Sequence, residues 1–171
     1  MWNWLGPPAK SLAWIVPQQR SPWRVCAQSS CRLVMLRFSK AIPRPSAIDY
    51  AKVTVSVPPT HKESEIEWAK TPPGDPNADF VVRSENYLDG DKAFVRALNA
   101  ELARRPAGKR KVLLFIHGFN TMFAEGLYRL TQIAHDAKSP AVPVLFTWAS
   151  RGKPTAYVYD TNSATAARRR T

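Results

Sequence analysis

Residues 111–120, KVLLFIHGFN, constrain the fold more than any other stretch of the chain. Val112 to Ile116 is an unbroken apolar run that stops on His117-Gly118. A run with no polar alternation suits a strand covered on both faces, and so a parallel sheet with helices on each side. Asn120 or Thr121 can cap a following helix whose apolar stripe is Phe123, Leu127, Leu130 and Ala134, spaced i, i+4, i+7, i+11. Pro140 and Pro143 end the connection, and PVLFTW reads as the next strand. Strand, helix and strand within about 37 residues make a βαβ unit, whose crossover is expected to be right-handed.

Upstream, KVTVSVPP at 52–59 alternates Val53, Val55 and Val57 with polar partners, the pattern of a half-buried strand stopped by Pro58-Pro59. A polar, turn-rich connection then leads to the short apolar FVV at 80–82. DGDKAFVRALNAELARRPAG predicts a helix, with Asp91 as N-cap and Phe94, Leu98 and Leu102 on one stripe. Arg104-Arg105 lie near its C-terminal dipole, before Pro106 and Gly108.

A chain of 171 residues with 44% hydrophobic content is long enough for one domain with a real core. Its net charge of +12 ordinarily points to nucleic acid or an anionic membrane surface. The charge is uneven, however. Residues 1–52 hold eight Lys/Arg against Asp49, and residues 151–171 hold five against Asp160, which leaves 12 against 11 for residues 53–150. The basicity therefore belongs to the two ends. Residues 1–48 carry scattered tryptophans and prolines that fit neither helix nor strand and are expected to be disordered, leaving 49–171 as the domain. The longest apolar run at the start, Leu12 to Val16, is too short for a secretory signal, and no run is long enough to span a membrane. Cys26 and Cys31 read as two incidental thiols, with a small disulfide or half of a metal site as alternatives.

In open α/β sheets, ligands bind at the carboxyl ends of the parallel strands. His117-Gly118-Phe119-Asn120 and Trp148-Ala149-Ser150 both fall at such ends and are expected to be neighbours in a cleft. A Gly directly after the strand allows a sharp turn, and the N–H groups there, with a helix N-terminus behind them, can face an oxyanion. The plainer alternative is a tight turn in which His117 only bonds to backbone.

HGFNT after an apolar strand, followed by LYRLTQIAHD, PVLFTWAS and YVYDTNSA, resembles a bacterial alpha/beta-hydrolase family of unknown specific function. With VSVPPTHKESEIEWAKTPPGDPNADF upstream, the resemblance covers roughly residues 50–168. It implies a three-layer αβα architecture and a serine-type activity on an ester or related acyl bond. In that superfamily the residue after His-Gly supplies one backbone N–H of the oxyanion hole, here Phe119, with His117, Gly118 and Asn120 in the same loop. A small ester-like substrate is implied for the full-length family, with no cofactor and no metal.

The same resemblance implies a nucleophile on a Gly-x-Ser-x-Gly elbow, followed by an acid and a histidine. No such elbow occurs. The nearest serine, Ser150, has Gly152 after it but bulky Trp148 two places before, and Lys153-Pro154 argues against an immediate helix. His61 precedes any possible elbow, and His135 sits at a helix end where a cation favours the dipole. Asp160 comes too early for a triad acid, and helix capping is its natural role. DPNAD at 75–79 opens like a calcium loop but has Phe80 where Gly is required, so it reads as a turn.

The expectation is thus α/β: a partial alpha/beta-hydrolase sheet truncated before the nucleophile elbow, inactive alone and prone to self-association through an unpaired edge. The alternative is a non-enzymatic basic protein whose termini contact nucleic acid or anionic membrane, although short runs such as RRR at 168–170 are usually solvated ends and no specific nucleic acid is expected.

Overall fold

The computed structural model describes residues 31–39 and 48–168. Five strands form one sheet in the order β3-β2-β1-β5-β4, where β1 is Cys31–Ser39, β2 Ile48–Ser56, β3 Val81–Leu88, β4 Val112–Ile116 and β5 Val142–Thr147. Helix α1 spans Gly90–Ala103, α2 Phe123–Asp136 and α3 Tyr157–Arg168. β4 and β5 are parallel neighbours, with Phe115 opposite Leu145, and α2 connects them, so the expected βαβ unit is present. β5 is also parallel to β1, whereas β1, β2 and β3 run antiparallel to one another in turn.

The alternation along β2 sorts the two faces of the sheet. Ala51, Val53, Val55 and Val57 share one face and pack with Phe80, Leu145 and the Leu127 and Leu130 stripe of α2. On the other face Val142 and Val144 pack against Phe94, Ala97, Leu98 and Leu102, the expected stripe of α1. Tyr50 meets the Phe94 ring at 5.0 Å, and Lys52 pairs with Glu101 of α1 at 2.7 Å. Helix, sheet and helix form three layers, and the fold is α/β.

Four local expectations need correction. β1 lies inside the sheet, between β2 and β5, so a boundary at residue 48 cuts through paired strands. Residues 1–30 and 40–47 lie outside the described residues. β4 is not covered on both faces: Leu113 and Phe115 pack under α2, while Val112, Leu114 and Ile116 are exposed. β4 is an edge strand, and α1 packs mainly over β2, with further contacts to β3 and β5. Asp91 is not the N-cap of α1 but a first-turn residue, because Asp89 holds the cap position. The N-cap of α2 is neither Asn120 nor Thr121 but Met122, whose N–H donates to Glu125 Oε2 at 2.6 Å.

The connection from 58 to 80 is irregular, as its composition suggests, and DPNAD is a turn in which Asp75 accepts the N–H groups of Asn77, Ala78 and Asp79. No helix among the described residues is long and apolar enough to cross a membrane.

Candidate functional site

The carboxyl ends of β4 and β5 lie side by side, which brings the His117 loop against the Trp148 loop. Along β4 the odd-numbered residues face α2, so His117 continues the row of Leu113 and Phe115 and is driven under that helix. Its ring is buried, with its Cβ close to where a Cβ on Gly126 would lie (3.6 Å). Nδ1 bonds to Gly118 O at 2.9 Å, which makes Nδ1 the protonated nitrogen. Nε2 then accepts from the Thr147 hydroxyl at 2.7 Å and from Trp148 N–H at 3.2 Å. The Trp148 indole stacks on the imidazole at 4.1 Å. Burial pushes the His117 imidazole below its ordinary pKa, outweighing the Gly118 and Trp148 contacts and the Asp160 charge. A neutral ring with both nitrogens engaged fastens two strand ends together; it has no nitrogen free to act as a base.

Asp160 performs the complementary task from α3. It is not a cap but lies inside the first turn, 2% exposed. Its Oδ2 accepts the Ser150 hydroxyl at 2.6 Å and the Asn120 N–H at 3.1 Å, and its Oδ1 accepts the Arg151 N–H at 3.0 Å. Burial alone would raise its pKa, but these bonds hold the carboxyl below its usual range. One carboxylate therefore ties the loop after β4 to the loop after β5. Sequence reasoning gave Asp160 only a capping role, because its partners lie 9, 10 and 40 residues away.

The loop turns at Asn120, with φ of 59°, and not at Gly118, whose φ is not positive. Asn tolerates the left-handed region better than most residues. Gly118 instead leaves open space, since no atom lies within 4 Å of where its Cβ would be. That space belongs to a cavity of about 300 Å³ lined by Phe115, His117, Gly118, Thr121, Glu125, Gly126 and Arg129, with Ile66 and Trp68 across it. Trp148 and Ser150 brace the loop from behind and do not line the cavity.

Phe119 is half exposed, its ring edge-on to Tyr157 at 5.2 Å, and its N–H has no acceptor among the described residues. Asn120 Oδ1 and Trp148 Nε1 are buried without a partner among them. Ser150 faces a carboxylate and no imidazole. His61 and His135 meet each other at the opposite end of α2, with rings 5.2 Å apart. Among the described residues no Ser–His pair is formed. Most of the basic N-terminus, with Arg169 and Arg170, lies outside the described residues, and Lys52 is paired internally with Glu101.

A family model described as "Alpha/beta hydrolase of unknown function (DUF900)" matches residues 91–170, from the start of α1 to the end of α3. The match is narrower than the expected 50–168 and contains both loops of the site. No curated protein and no solved structure matches the chain. Over residues 91–170 the chain is similar to an alpha/beta-hydrolase family of unknown function.

Proposed function

We propose that residues 111–160 form the oxyanion side of a hydrolase whose full-length relatives cleave an ester or related acyl bond by a serine mechanism, and that this chain alone is inactive. The observation that carries the proposal is the Phe119 N–H, which has no acceptor among the described residues and lies in a loop that His117 and Asp160 hold from two sides. A fixed N–H donor gains most when negative charge develops in front of it, because no reorganisation is needed at that moment. In acyl transfer that charge is the oxygen of the tetrahedral intermediate. The cavity beside Gly118 gives a small acyl group room to reach the loop.

Among the described residues no reacting group is in place. Ser150 donates to a buried carboxylate and His117 has no free nitrogen, so neither is poised to attack or to take a proton. β4, whose exposed face carries Val112, Leu114 and Ile116, is an open parallel edge at which a further strand could pair. An unpaired edge of this kind is also the surface through which the chain would self-associate.

Amide chemical shifts test the oxyanion role. With a short alkylphosphonate as the probe anion, the Phe119 amide should move saturably in the isotope-labelled chain, and the shift should be lost in Asp160→Ala. An unmoved Phe119 amide in the folded chain would rule out the assignment.

A further inference from the structure

The second cluster of ionisable side chains lies at the far end of α2, about 20 Å along the helix from the His117 loop. His61, from the connection after β2, is nearly buried, with its ring 5% exposed. Its Nε2 lies 2.9 Å from Asp136 Oδ1 and its Nδ1 2.8 Å from Glu67 Oε2. His135 Nδ1 lies 3.3 Å from the same Asp136 oxygen. One donor atom each from His61, His135 and Asp136 fall within 4.8 Å of one another.

We propose that His61, His135 and Asp136 form a binding site for a divalent late first-row metal ion such as Zn²⁺, with the fourth position open to solvent beside the part-exposed His135. Two imidazoles and one carboxylate are the donor types this class of ion prefers. Tetrahedral zinc with bonds of about 2.0 Å separates its ligands by roughly 3.3 Å. The 2.9 and 3.3 Å separations here need only a small spread to admit the ion.

The groups behind the ligands match what a metal site requires. Glu67 holds His61 Nδ1, which directs Nε2 at the ion, the carboxylate–histidine–metal arrangement. Glu67 is itself fixed by the Lys62 N–H at 2.8 Å. Asp136 has its other oxygen held by the Ser64 N–H and by the Gln132 amide. The site sits at the C-terminal end of α2, where the helix dipole favours a cation. The two positive charges of a bound ion would balance the carboxylates of Asp136 and Glu67, which both face His61. The ion would pin the long connection after β2 to α2, far from the hydrolase loop, so the inference stands independently of the proposed function.

Zinc titration of the chelator-stripped full-length chain by calorimetry tests it. The expected result is one saturable site per chain, lost in His135→Gln and weakened about 10- to 100-fold in Glu67→Gln, a change behind the ligands. The site should survive Cys26→Ser with Cys31→Ser. No saturable binding, unchanged binding in His135→Gln, or loss in the cysteine variant would each overturn the assignment. If His135→Gln does not fold, the Co²⁺ complex of the unmodified chain decides. A tetrahedral visible band without a thiolate charge-transfer band, with paramagnetic shifts of the His61 and His135 rings, supports the site. A thiolate band, or unshifted rings, removes it.

Discussion

Asp160 Oδ2 accepts the Ser150 hydroxyl at 2.6 Å, so the serine nearest to a nucleophile position is committed to holding a loop. The same carboxylate accepts the Asn120 and Arg151 N–H groups, which makes the loop geometry depend on one charge. Asp160→Ala removes three hydrogen bonds to a buried anion. Hydrogen bonds to charged groups contribute about 1.5–3 kcal/mol each, and some of the freed donors will find water, so a loss of about 2–4 kcal/mol is expected. Urea unfolding of the two proteins measures it, and a loss below about 1 kcal/mol would mean the loops do not rely on this carboxylate.

At the loops after β4 and β5, two depressed pKa values contribute to the pH dependence. Burial lowers His117, and hydrogen bonding lowers Asp160. In each case the unfolded chain takes up the proton first as the pH falls. The stability each group contributes is full above its unfolded pKa, about 6.5 for His and 3.9 for Asp, and is lost as pH falls through the lower folded value. Relative to His117→Gln and Asp160→Ala, the unmodified chain should lose melting temperature below about pH 6.5 and below about pH 4, while the raised pKa of His61 acts in the opposite sense near neutral pH and the lowered Glu67 and Asp136 add to the acid decline. His117→Gln should flatten the first decline and leave the second. An unchanged first decline in that variant would assign it to other groups.

Gly152 is required twice over. Its φ of 58° lies in the left-handed region, and a Cβ there would stand 2.5 Å from Met122 Cγ at the start of α2. Gly152→Ala is expected to cost about 1–3 kcal/mol. In a double-mutant cycle with Met122→Ala, part of the cost should be recovered, because the clash is relieved and the backbone strain is not. Full additivity would show that the two residues do not compete for space.

The open face of β4 is the proposed route of self-association. Val112, Leu114 and Ile116 are 44%, 56% and 56% exposed on an edge strand, a surface natural sheets normally cover or charge. Concentration-dependent association is expected in sedimentation velocity, and Leu114→Lys with Ile116→Lys should reduce it. A strictly monomeric unmodified chain would contradict the proposal.

The elements that write their burial locally were legible in the sequence. The stripes of α1 and α2 and the alternation of Val53, Val55 and Val57 correspond to the faces that pack. What escaped depends on partners distant in the chain. Nothing in Val112 to Ile116 tells whether a second helix covers the strand, so an apolar run read as two-sided burial turned out half exposed. β1 carries Arg32 and Arg37 among its apolar residues, so no clean period announced its place in the sheet. The loop after β4 pivots at Asn120, whose N–H Asp160 accepts from 40 residues away, and not at the Gly118 that the sequence suggests. His61 and Asp136, 75 residues apart, gave no local signal at all.

On the proposed reading the chain presents a donor to a developing oxyanion, and among the described residues no group is placed to generate one. Hydrolysis of short p-nitrophenyl esters by the purified, cooperatively folding chain, compared with the His117→Ala, Ser150→Ala double variant, tests this directly. Equal, background-level rates are the expected result. Turnover above the double variant that disappears on substituting Ser150 alone would contradict the account.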